Sequence, residues 1–233
     1  MELLLDFARG PGFLFALAFM VLGLMRHLLL TAWHIARTYS RAGDKSLPYS
    51  TIARSSLEWM FPIRKLRDQP LFSLTSIIFH LAVIIVPVFL RGHIELWQRG
   101  IGITWPGISN TLADTLTVVA IVTGSALLLQ RVTAKATRSL SRFQDYALPI
   151  LISVPFVTGY LMMHPTINPL PYTLTFLMHL VSANLLFILV PLTKLSHMAL
   201  LPGSQLVSEL GWHWPRDAGS RIAASLGKEK APV

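Results

Sequence analysis

The chain contains no cysteine. Disulfides, thiolate metal sites, iron–sulfur ligation and covalent haem attachment through Cys-x-x-Cys-His are therefore excluded, and any redox centre must use other donors. Charge is also scarce: 13% of the 233 residues are Asp, Glu, Lys or Arg, against 53% hydrophobic, and the mean hydropathy is +0.56. Soluble domains carry about twice that share of charge, so composition places the chain among integral membrane proteins. Acidic residues are the scarcer sign, 11 against 20 basic, for a net charge of +9. The basic residues lie between apolar segments instead of lining an aromatic-studded groove. That argues against a nucleic-acid partner and makes them topology determinants. The N-terminal MELLLDFARGPGFLF carries acidic residues ahead of its apolar stretch and lacks a small-residue cleavage pattern, so the first span is expected to be retained.

Five apolar segments are present: Gly12 to Leu30, Leu71 to Leu90, Thr111 to Leu129, Ala147 to Met163 and Tyr172 to Leu195. Each approaches or exceeds the roughly 17 to 25 residues that cross a bilayer as a helix. The expected fold is an all-α integral membrane bundle of five transmembrane helices over residues 1–200, followed by a cytoplasmic tail, 201–233. Arg26 and His27 near the end of the first span, and Lys194 near the end of the fifth, suit snorkelling to headgroups. Basic residues cluster in the first connection (Arg37, Arg41, Lys45, Arg54, Arg64, Lys65, Arg67), the third (Arg131, Lys135, Arg138, Arg142) and the tail (Arg216, Arg221, Lys228, Lys230). These regions belong inside, which puts the N-terminus outside and the C-terminus in the cytoplasm. Trp97 and Trp105 then mark the outer interface, Trp33 and Trp59 the inner one. The stretch SLEWMFPIRKL, beyond Gly43 and Pro48, suits either the inner interface or a solvated connector.

Eight histidines stand out against this background. His179 and His197, eighteen residues apart in MHLVSANLLFILVPLTKLSHM, are five turns apart on an ideal helix, on one face and about 27 Å apart along the axis. His80 lies within the second span and His93 at its outer end. Depth suggests two pairs, His93 with His179 outside and His80 with His197 inside, each suited to a haem b iron held by two neutral imidazoles. Gly124, Ser125, Ala126 and Gly159 are small enough to admit a flat ring or to serve ordinary helix packing. One geometric obstacle is that His80 and His93 are about 140° apart on an ideal helix, which Pro87 between them can alter. Each histidine alone is as compatible with a structural role as with ligation; the four together favour ligation. His27 and His34 read as headgroup residues, His164 as an interfacial residue or a quinol proton acceptor, and His213 as a cytoplasmic contact.

HLVSANLLFILVPLTKLSHMALLP, with two histidines eighteen apart and a Pro before a basic residue, resembles the fifth helix of the membrane cytochrome b (gamma) subunit of respiratory nitrate reductase and its relatives in sulfur metabolism and other anaerobic redox complexes. FHLAVIIVPVFLRGH resembles that family's Phe-His and Gly-His pairing. The spacing of the second-helix pair is wider than in the nitrate-reductase subunit, closer to the sulfur-metabolism branch or another relative. Near TWPGISN the lysine that flanks the nitrate enzyme's quinol site is missing, and Asn110 is the nearest polar residue.

The resemblance implies two haem b on His80, His93, His179 and His197, and menaquinone or ubiquinone as substrate near Gly92, His93, Asn110 and His164. It also implies residence in a bacterial or archaeal cytoplasmic membrane. The chain would exchange electrons with an iron–sulfur subunit docked on the inner basic loops and residues Gly211 to Trp214, or with a periplasmic multihaem cytochrome c. The competing expectation is a haem-free membrane anchor or assembly subunit.

Overall fold

A computed structural model describes residues 1–41, 49–60, 66–67, 69–213 and 218–228. Gly43, Lys45, Pro48, Arg64, Lys65, Trp214, Arg216 and Lys230 lie outside the described residues. Among those described the structure is helical, without strands: α1 (Glu2–Arg9), α2 (Pro11–Arg41), α3 (Tyr49–Met60), α4 (Pro70–Phe89), α5 (Arg91–Ile101), α6 (Asn110–Thr133), α7 (Lys135–Leu140), α8 (Phe143–Met163), α9 (Tyr172–Leu192), a 3₁₀ turn (Lys194–Ser196), α10 (His197–His213) and α11 (Ala218–Ser225). Five helical stretches are long and apolar enough to cross a membrane: Glu2–Arg41, Pro70–Phe89, Asn110–Thr133, Phe143–Met163 and Tyr172–Leu192. The chain is a multi-pass membrane protein, and the five apolar segments of the sequence fall on these five stretches.

Local chemistry sets the helix ends. Pro70 occupies the first turn of α4, where its missing N–H costs nothing. Ser109 caps α6 by accepting the Leu112 N–H at 3.3 Å. Gly102 closes α5 at φ 75°, a left-handed conformation open to glycine. Gly10 separates α1 from α2. With 31 residues α2 is about 46 Å long, well beyond a hydrocarbon core of about 30 Å.

The chain divides into two compact units. The first comprises Met1–Val21 and Lys65–Lys194. Within it α4 packs on α6, α6 on α8, α8 on α9, and α9 on α1. Ala82, Val86, Ala120 and Phe156 form the core of α4, α6 and α8; Leu5, Ala8 and Leu180 join α1 to α9. Gly124 lets the Phe79 ring approach α6, since a Cβ there would lie 2.9 Å from Phe79 Cε2. Gly124 therefore serves helix packing. Leu81, Ile84, Val122, Leu129 and Ile150 are exposed, as suits surfaces facing lipid. Hydroxyl groups inside the spans are satisfied by their own helices: Thr117, Ser153 and Thr158 each donate to the carbonyl four residues back, at 2.7, 2.8 and 2.8 Å.

At the end of this unit where α6 finishes and α8 begins, Asp145 joins three elements. Its carboxylate accepts from Lys194 Nζ at 2.7 Å, from the Arg142 N–H at 2.9 Å, and faces Arg131 Nη1 at 3.4 Å. Lys194, expected to snorkel, is thus held by an ion pair. The second unit comprises Leu22–Arg64 and Leu195–Val233, with α10 packed on α3 and on α11. His27 and His34 lie in the part of α2 that belongs to it. Residue 201, where the sequence placed the start of a tail, falls inside α10.

Candidate functional site

The site begins with a break in the backbone. Pro87 lies inside α4, which continues past it to Phe89; the helix stops at Leu90, whose φ −70° and ψ 128° are extended. His93 therefore sits in the first turn of a separate helix, α5, and not on the second span as the sequence suggested. The 140° separation from His80 on one ideal helix does not apply.

Every carbonyl at this break has a partner. The Leu90 N–H donates to Val86 O at 3.0 Å, and the Ile108 N–H to Phe89 O at 2.9 Å. The Trp105 indole N–H donates to Val88 O at 2.9 Å. The His93 Nδ1–H donates to Pro87 O at 3.1 Å, while Leu90 O accepts the N–H groups of both His93 and Ile94 at 3.0 Å. A helix end normally leaves such groups to water, so the 102–109 connection replaces solvent here. It can press this close because residue 107 is glycine: a Cβ there would lie 2.8 Å from Arg91 Cγ and 3.1 Å from Phe89 O. Trp97 on α5 packs edge-on against Phe13 at 6.3 Å and tilts against Trp105 at 6.0 Å, which fixes the helix carrying His93.

His179 reaches the same place from α9. Its Nδ1–H donates to the Pro155 carbonyl of α8 at 2.9 Å, with Thr158 Oγ1 at 3.4 Å. Gly159 makes room for the ring, since a Cβ there would meet His179 Cε1 at 3.1 Å and Nδ1 at 3.3 Å. The imidazoles of His93 and His179 lie within 13° of parallel, with ring centroids 5.9 Å apart. The two histidines paired from sequence depth are thus together in space, although 86 positions separate His93 from His179 in the chain.

The donor set suits haem iron. A carbonyl oxygen only accepts, so Nδ1 of each ring carries the proton and Nε2 keeps its lone pair. Burial holds the His93 pKa below its usual value, which favours the neutral, ligating form. His93 and His179 are the residues that would hold a haem iron here, which would supply one-electron transfer. Among the described residues no group of three or more His, Cys, Asp or Glu could hold a bare metal ion. A haem iron would take its other donors from the porphyrin and would need only two side chains of this chain.

Of the other expected pair, one residue falls in each unit. His80 on α4 donates Nδ1–H to the Ser76 carbonyl at 2.7 Å and belongs to the first unit. His197 opens α10 in the second unit. The expectation that His179 and His197 share one straight helix fails. After Pro191, α9 ends at Leu192, Thr193 is extended, and a 3₁₀ turn precedes His197, so an ideal five-turn spacing does not describe the pair.

Of the residues expected near quinone, Gly92 is exposed, and a Cβ added there would meet nothing within 4 Å. Asn110 begins α6, and His164 follows the last residue of α8. His164 donates Nδ1–H to the Tyr160 carbonyl at 2.9 Å, stacks on the Tyr160 ring at 4.2 Å, and points Nε2 at Asp114 Oδ2, 3.5 Å away. Sequence reasoning passed over Asp114. The available signal was a carboxylate within an apolar span, one turn from Asn110.

A curated protein of Nitratidesulfovibrio vulgaris (strain Hildenborough), described only as "Protein", is 33% identical over 149 residues, which is 63% of this chain and 65% of that protein. The match thus spans just under two thirds of the relative's length. No family model matches the chain, and no solved structure does.

Proposed function

We propose that the chain is a di-haem cytochrome b subunit of a respiratory oxidoreductase complex, related to the nitrate-reductase gamma family, which moves electrons between membrane quinone and a partner redox subunit. The observation that carries this reading is the near-parallel His93–His179 pair, each ring tied through Nδ1 to a backbone carbonyl. These two residues hold the outer haem. The second haem rests on the sequence pattern alone.

Bound haem would supply a one-electron relay. The chain's own contribution is orientation and tautomer: Pro87 and Pro155 carbonyls fix both rings, Trp105 and Gly107 secure the end of α4, and apolar helices exclude water. The basic connections support an N-terminus outside and a C-terminus in the cytoplasm, and the family resemblance supports a bacterial or archaeal inner membrane. The partner on that side is an iron–sulfur subunit. Arg138 and Lys135 of α7 lie in the connection that would meet it.

The test is the reduced-minus-oxidised spectrum and pyridine haemochrome of the purified protein, followed by reduction with duroquinol and menadiol. Two b haems per chain, reducible by quinol, are expected. A colourless protein that still assembles with its partners makes the chain a haem-free anchor and overturns the reading.

A further inference from the structure

At the end of the bundle that carries His93, His164 has acceptors at both ring nitrogens. Nδ1 faces the Tyr160 carbonyl at 2.9 Å, and Nε2 faces Asp114 Oδ2 at 3.5 Å. A neutral imidazole has one N–H, and that proton is committed to the carbonyl. The second contact is attractive only when another proton is present, on Nε2 or on the carboxylate. The Nε2–Oδ2 contact is therefore a place where the two side chains can share a proton. The Tyr160 ring, stacked at 4.2 Å, keeps the imidazole plane aligned with Asp114.

The pair is also well placed. His164 lies five residues, about 7.5 Å along the helix axis, beyond Gly159, the residue against which His179 rests. Asn110 precedes Asp114 by one turn of α6 and shares its face. The side chains of His164 and Asp114 are 33% and 34% exposed, and they lie at the end of α8 and in the first turns of α6. Of the elements around the pair, α6 also carries Arg131 at its opposite end, α8 carries Asp145, Tyr146 and Tyr160, α4 carries His80, and α9 carries Tyr172 and His179; α5, at the same end of the bundle, carries Arg91, His93, Glu95 and Arg99, and the 165–171 connection carries none.

We propose that Asp114 and His164 form the proton-accepting pair for a quinol oxidised at this end of the bundle. This rests on the quinone reading above. Quinol loses two protons and two electrons to become quinone. One hydroxyl O–H bond breaks with transfer of its proton to the Asp114–His164 pair, the second proton follows after the pair has discharged the first to water, and the electrons leave singly to ferric haem b as oxidant. The reverse reaction returns protons through the same pair.

The experiment uses the complete membrane complex and duroquinol and menadiol as probes. Wild type, Asp114→Asn, His164→Gln and the conservative Asp114→Glu are compared by stopped-flow haem reduction between pH 5 and 9, with dithionite-reduced spectra as the measure of intact haems. Asp114→Asn and His164→Gln are expected to slow quinol-driven reduction by about 100-fold, a general-base effect, with unchanged dithionite spectra. Asp114→Glu should restore much of the rate. Infrared pH-difference spectra, which read the proton without turnover, should show a carboxyl band that Asp114→Asn removes and His164→Gln shifts.

Wild-type haems that quinol does not reduce would remove the quinone reading itself. Wild-type reduction with normal rates and pH profiles in both variants would overturn only the role of this pair. So would a carboxyl band indifferent to His164. Loss of haem in the variants would make the pair structural and overturn the proposal as well.

Discussion

The indole N–H of Trp105 donates to the Val88 carbonyl at 2.9 Å, seventeen residues back along the chain. The adjacent carbonyl, Pro87, receives the Nδ1–H of His93. One aromatic side chain in a loop thus secures the helix end on which a proposed haem ligand depends. Trp105→Phe keeps the packing against Trp97 but leaves Val88 O without its donor, at a cost of about 0.5 to 1.5 kcal/mol. The expected result is a lower thermal midpoint and an altered low-spin electron paramagnetic resonance signal for the outer haem, with the inner signal unchanged.

Gly159 and Gly124 separate the site from ordinary packing. A Cβ at residue 159 meets the His179 ring at 3.1 and 3.3 Å, so Gly159→Ala must move that ring by a few tenths of an ångström. It should shift the outer haem's potential or lower its occupancy. Gly124→Ala meets Phe79 at 2.9 Å and should destabilise the α4–α6 contact by about 1 to 3 kcal/mol, with the outer haem spectrum intact. Redox titration beside thermal denaturation reads both effects.

Orientation is open to a separate check. Reporter fusions at Ala136 and at the C-terminus should report the cytoplasm, and one at Gly102 the outside, because Arg131, Lys135, Arg138 and Arg142 crowd the connection containing Ala136. A cytoplasmic signal at Gly102 would invert the bundle and move the His93 end to the inner face.

The spans were legible because apolar runs bounded by Pro, Gly and charge are a local signal, and α4, α6, α8 and α9 begin within a few residues of the segments read from sequence. The pairing of His93 with His179 was legible from depth alone, once each histidine was placed near the end of a span. The break that orients His93 was not. Leu90 carries no breaking chemistry of its own, and its extended conformation depends on Trp105, Gly107 and Ile108, far along the chain. Proline was a poor guide in both directions. α4 runs through Pro87 and α8 through Pro149 and Pro155, yet α9 ends one residue after Pro191. Asp114 and His164 meet only because α6 packs on α8, a relation between segments fifty residues apart that no local pattern records.

The proposed ligation of one haem by His93 and His179 is tested most directly by the low-temperature reduced spectra of His93→Ala and His179→Ala, measured side by side. Both variants should lose the same b-type component and retain the other. Loss of different components, or retention of both components in either variant, would contradict axial ligation by this pair.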